Sequence, residues 1–143
     1  MITLKEEFSV AAVVYNGEEY LLLKYGLGHW GFVKGHKEEG ESDEETILRE
    51  LEEESGITDA VIIKGFHDDY EYYFKLKGDT VHKRVKCFLI RSNTKEVKIS
   101  YEHVDFAWLK LYEAIKRASF SNGKNILKKA AKYRSSSLES YLK

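Results

Sequence analysis

A chain of 143 residues and 16.6 kDa, 43% hydrophobic and 13% aromatic, suits one compact domain with a packed core and leaves little room for a second. Its 23 bases nearly cancel its 24 acids, and a net charge of -1 excludes a wholly basic nucleic-acid binder. The single cysteine, Cys87, supports neither an internal disulfide nor a thiolate zinc site, and no apolar run approaches the roughly 20 residues that span a bilayer.

Met1–Phe8 mixes charges where a signal peptide is apolar, so a soluble cytoplasmic protein is expected. Phe8–Tyr15 (FSVAAVVY) is apolar and β-branched, Asn16-Gly17 follows, and Tyr20–Tyr25 (YLLLKY) is apolar again, which predicts a hairpin. His29–Val33 reads as a short strand. Between Glu38 and Glu54 come ten carboxylates against one base, Arg49. Ser42 and Glu45 have the spacing of a capping box, so a helix starts there, and Gly56 stops it. At about 100° per residue, Ile47, Leu48, Leu51 and Ser55 share a side that is expected to face the core.

The β pattern resumes over Val61–His67, Tyr70–Leu76, Val81–Arg91, Lys95–Ile99 and Asp105–Leu109, with Lys77-Gly78-Asp79 as a turn. Leu111–Ala118 and Lys124–Tyr133 read as helices. Residues 1–134 are expected to form the single domain and residues 135–143, which include a serine run, a flexible tail. Consecutive strands with an early helix predict an α+β sandwich and not repeated βαβ units. Cys87 falls in an apolar strand and is expected to be an inert core residue.

The chemistry is concentrated on the acidic helix. Glu50, Glu53 and Glu54 are spaced i, i+3, i+4, which puts them within about 100° of arc, opposite the Leu48/Leu51 face. Like charges that close repel, by a few tenths of a kcal/mol per pair, so a positive partner is expected. Clustered hard oxygen donors suit Mg2+ or Mn2+. A solvated acidic face is the plainer reading of the same spacing.

The wider pattern is Gly35, Glu41, Arg49-Glu50-Leu51, Glu53-Glu54 and Gly56-Ile57, or G-x5-E-x7-R-E-U-x-E-E-x-G-U with U a bulky aliphatic residue. This 23-residue stretch resembles the Nudix box at every constrained position. The resemblance implies an α/β/α sandwich around a mixed central sheet, and a loop-helix-loop that holds divalent cations against a diphosphate linkage. It implies Glu50, Glu53, Glu54 and the Gly35 carbonyl as metal ligands, Arg49 paired with Glu41 to orient a glutamate, and Glu50 or Glu54 as general base. Mg2+ is the implied ion, with Mn2+ able to substitute. Cations are needed there because carboxylates alone repel a polyphosphate.

Further residues resemble one group of that family, the asymmetric diadenosine tetraphosphate hydrolases. They are, in order, His29-Trp30 with Lys34-Gly35-His36, then Gly65-Phe66, an aromatic strand with Tyr72, and a base at Lys83. Ser100-Tyr101-Glu102-His103, Trp108-Leu109 and Phe120 complete the set. The likeness runs from Val10 to Tyr133. Two features depart from it: Phe32-Val33 stands where such proteins often carry two prolines, and the Tyr72–Lys83 interval is longer. The resemblance implies that Tyr72 and Phe120 sandwich an adenine, that His29, Lys34 and Lys83 contact the internal phosphates, and that Glu102 adds a metal ligand or orients water. His36 and His103 are expected to be structural.

The expected function is metal-dependent hydrolysis of a dinucleoside tetraphosphate to ATP and AMP, with water attacking an outer phosphorus. The expected protein is a monomer acting on a small-molecule nucleotide, with no membrane partner. One alternative is a pyrophosphohydrolase of nucleoside triphosphates or RNA 5′ ends, for which the segment from Lys110 to Arg134, with eight bases and one acid, offers a surface. The other is a nucleotide-sensing module of the same fold that does not cut.

Overall fold

The computed structural model describes residues 3–142, the last six of them as helix backbone alone. Strand β1 (Leu4–Asn16) turns into β2 (Glu19–Tyr25), and two short strands follow, β3 (Trp30–Gly31) and β4 (Val33–Gly35). Helix α1 (Asp43–Ser55) leads to β5 (Ala60–Ile62), β6 (Asp68–Leu76), β7 (Asp79–Ser92) and β8 (His103–Lys110), and the chain ends in α2 (Leu111–Arg117) and α3 (Ser121–Leu142). The sheet is mixed: β1 runs parallel to β7 over twelve residue pairs, Leu4↔Thr80 to Tyr15↔Arg91, and all its other pairings are antiparallel.

Helices cover both faces, which is why Val10–Val14 is apolar without alternation. Val10, Ala12 and Val14 pack with Leu21, Leu23, Ile47 and Leu51 under α1. Ala11 and Val13 pack with Leu22, Leu89, Ile126 and Leu127 under α2 and α3. This is the expected α/β/α sandwich. Cys87 is buried in the second cluster, and burial pushes its thiol well above the usual range, so it stays protonated.

The local signals act as expected at both ends of α1. Ser42 Oγ accepts from Glu45 N–H, Glu45 Oε1 accepts from Ser42 N–H, and Gly56 takes φ 74° as the C-terminal cap. In the first hairpin the two-residue loop is Gly17-Glu18, since Asn16 still pairs with Glu19, and only Gly17 has positive φ. In the second, Lys77 and Gly78 both have positive φ.

Several expectations are corrected. Leu48 is 40% exposed, whereas Thr46 and Glu54 are buried beside Ile47, Leu51 and Ser55. Helix α1 meets β1 and β4 along an arc centred near Ile47, and at about 100° per residue Glu54 lies within about 20° of Ile47. Of the three box glutamates only Glu53 faces away from the core. The strand expected over Lys95–Ile99 does not form. Lys98 N–H donates to the Ser55 carbonyl and Trp108 Nε1–H to the Lys95 carbonyl, so this segment caps the end of α1 instead of joining a ladder. The strand expected over Val61–His67 is only three residues long. Helix α3 does not stop at Tyr133: helical backbone continues to Leu142, through residues expected to be a loose tail, whose last residue, Lys143, lies outside the described residues.

Candidate active site

Three elements meet at the carboxylates: β4, the C-terminal half of α1, and the turn before β8. Gly35 ends β4 directly beneath Glu50. A Cβ added to Gly35 would stand 2.1 Å from Glu50 Cδ and 2.4 Å from its Oε1, so only glycine lets this carboxylate lie against the β4 backbone.

Arg49 organises the outer carboxylates. Its Nε and Nη2 donate to the two oxygens of Glu41 at 2.6 and 3.1 Å, and its Nη1 donates to Glu50 at 2.9 Å and Glu53 at 3.1 Å. A further bond runs from Nη2 to the His36 carbonyl. The paired bonds hold the Glu41 carboxyl down to about 2 and push the guanidinium further up. Glu41 Oε1 also accepts from Thr46 Oγ1, so one arginine and one threonine tie the loop of Glu41 to the helix.

Glu54 is the inner carboxylate. Its side chain is 7% exposed, and its Oε1 accepts the Lys34 N–H at 3.3 Å. Burial, then the adjacent Glu50 carboxylate, then Glu102 push its carboxyl up to about 9, so near neutral pH it holds a proton. The donor set thus fits a hard dication on chemical grounds: carboxylate oxygens crowd together, and the innermost carboxyl is pushed up for want of positive charge. Among the described residues no three acidic, histidine or cysteine side chains already converge as a cage, because Arg49 engages Glu50 and Glu53.

Beside the carboxylates lies a cleft of about 430 Å³. Four of the five residues expected to touch substrate line it: His29 and Lys34 on one side, Tyr72 from β6, and Phe120 from the α2–α3 connection. Phe120 is 60% exposed, an apolar ring the core does not use. Burial, then the Lys83 charge, push the Lys34 ammonium below its ordinary value, and burial with Lys34 does the same to His29.

Lys83 is the exception. It is buried beside the cleft but not on its wall, 3.3 Å from Glu7, although β6–β7 pairing sets it directly opposite Tyr72. The longer sequence interval is absorbed by the β6–β7 turn and does not separate the two.

Sequence reasoning missed Tyr25 and Tyr70. Tyr25 stacks on His29 (centroids 4.4 Å apart), meets His103 edge-on, and donates its hydroxyl to the Phe32 carbonyl. Tyr70 stacks beside Tyr72 at 6.2 Å. Period-two spacing of Tyr70, Tyr72 and Phe74 was the available signal for the latter. The basic C-terminal segment is largely engaged within the protein: Lys124 caps α2 carbonyls, Lys129 pairs with Asp68, and Arg134 lies on the Tyr15 ring and donates to the Gly17 carbonyl.

A carboxylate-rich loop-helix-loop packed on one face of a mixed sheet, with helices on both faces, defines the class. Residues 5–129 match the NUDIX domain model, and the chain belongs to the Nudix family of hydrolases. It is 38% identical over 119 residues to the bis(5'-nucleosyl)-tetraphosphatase [asymmetrical] of Sus scrofa, covering 80% of each chain, and 34% identical over 116 residues to that of Caenorhabditis elegans (78% of this chain and 81% of the relative). Among solved structures it superposes on a binary complex of a C. elegans Ap4A hydrolase with a TM-score of 0.75 and 25% identity, over 91% of this chain and 98% of that one. No helix among the described residues is long and apolar enough to cross a membrane.

Proposed function

We propose that this enzyme hydrolyses a dinucleoside tetraphosphate asymmetrically, diadenosine tetraphosphate giving ATP and AMP. The observation that carries the proposal is the aromatic cleft of Tyr72 and Phe120 opening beside the Glu50–Glu54 pair, with Lys34 between them. The names of the relatives support the same substrate class.

Each residue has a role in that reading. Tyr72 and Phe120 stack on one base. Lys34 and His29 line the path of the internal phosphates, where positive charge stabilises the charge that develops, and Lys83 adds its charge from behind Lys34. Glu50, Glu53 and Glu54, with the Gly35 carbonyl and Glu102, would hold Mg2+ or Mn2+, which would supply positive charge against the phosphates and lower the pKa of water. The Glu50–Glu54 pair takes the proton that water loses as its oxygen bonds to an outer phosphorus. The bridging oxygen leaves with ATP. Arg49 holds Glu41, Glu50 and Glu53 in register throughout.

Turnover of diadenosine tetraphosphate in 18O-water with Mg2+ is expected to yield ATP and AMP in equal amounts, with the label on AMP. Glu50→Gln is expected to lose about 10²-fold or more in rate. Two ADP as products would refute the asymmetric reaction. Preference for triphosphorylated RNA ends would move the enzyme to the pyrophosphohydrolase reading, and tight binding without turnover to the sensing one.

A further inference from the structure

Among the described residues two buried side-chain nitrogens lack a hydrogen-bond partner, Nε2 of His82 and Nε2 of His103. His82 has acids at both ends of its ring, Glu6 at 2.8 Å and Glu71 at 3.3 Å, which account for it as a link between β1, β7 and β6. His103 has no such account.

The His103 side chain is wholly enclosed. Its Nδ1 lies 3.2 Å from Ser100 Oγ, its ring packs edge-on against Tyr25 with centroids 4.5 Å apart, and its Nε2 looks across 3.8 Å at Oε1 of Glu54. The same residue closes the turn that carries Glu102. His103 N–H donates to the Ser100 carbonyl, Glu102 N–H donates to Ser100 Oγ, and Gly26 N–H donates to the Glu102 carbonyl. One side chain therefore stands between the loop that holds Glu102 and the helix that holds Glu54. Ser100 can donate or accept, so Nδ1 is satisfied in either tautomer and Nε2–H is free to serve a carboxylate.

We propose that His103 is a positioning residue whose Nε2–H closes on Glu54 and fixes its spacing from Glu102, so that helix and loop present their oxygens to one dication together. The inference rests on the reading that these carboxylates hold Mg2+ or Mn2+. Hydrogen-bond partners of metal-ligating groups are worth about 10- to 100-fold in metal affinity.

The test is Mn2+ binding by electron paramagnetic resonance on the full chain without nucleotide, with thermal unfolding in EDTA alongside. His103→Gln carries an amide N–H to the Nε2 position, whereas His103→Asn reaches only the Nδ1 position. The glutamine variant is expected to bind Mn2+ within about threefold of wild type and the asparagine variant about tenfold or more weaker. Their unfolding temperatures are expected to be similar. Ser100→Ala, which leaves the ring in place, is expected to weaken Mn2+ in the same direction. Equal affinities across the set, or losses that follow unfolding temperature and ignore the Gln/Asn distinction, overturn the positioning role. Absence of Mn2+ binding by wild type overturns the reading of the carboxylates, and the inference falls with it.

Discussion

Glu54→Gln should separate the demands of folding from those of catalysis. A free carboxyl of this type ionises near 4.5, and burial with Glu50 and Glu102 raises the folded value to about 9. Between those values the folded protein holds a proton that the unfolded chain has released, so stability falls as pH rises. Below 4.5 both states are protonated and the penalty disappears. Glutamine is a neutral isostere that keeps an acceptor for Lys34 N–H and has nothing to ionise. Each pH unit inside the window costs the wild type about 1.4 kcal/mol relative to the variant. From pH 6 to pH 8 the advantage of the variant should therefore grow by roughly 3 kcal/mol, on the order of 10 °C in Tm for a chain of this size. Unfolding of both proteins in EDTA at pH 6, 7 and 8 measures it. With Mg2+ present the same variant should lose about 10²-fold or more in rate. A stability difference that stays constant across pH would refute the argument, because it would mean that Glu54 ionises in the folded state as it does in the unfolded one.

Gly35→Ala should reduce kcat by about 10²-fold with only a small change in unfolding temperature, since the new Cβ displaces the Glu50 side chain and not backbone. Wild-type turnover, measured with saturating nucleotide, would show that the seat of Glu50 on β4 has no role. Phe120→Ala should leave stability unchanged, because the ring is 60% exposed, and raise KM about 5- to 150-fold while kcat holds, as loss of one stacking face implies. An unaltered KM would remove Phe120 from the base site.

Local signals were legible because their physics is local. The Ser42–Glu45 box and Gly56 bracket a helix whichever protein they occur in, and the spacing of Glu50, Glu53 and Glu54 places three carboxylates on it before any tertiary contact exists. What they face was not legible. A helix has no inside until a sheet covers it, and the choice between Leu48 and Glu54 for the buried side was made by contact with β1 and β4.

The aromatic wall shows the same division. Alternation put Tyr70 and Tyr72 on one side of a strand, but only the parallel β1–β7 pairing and the return of α3 bring that side to His29 and Phe120. By itself the sequence determined that a carboxylate cluster would stand on a capped helix. Tertiary structure decided that Glu54 is the enclosed member whose carboxyl is pushed up, that Lys83 turns to Glu7, and that His103 lies across from Glu54. Burial and charge proximity are sums over residues distant along the chain, and no local pattern carries them.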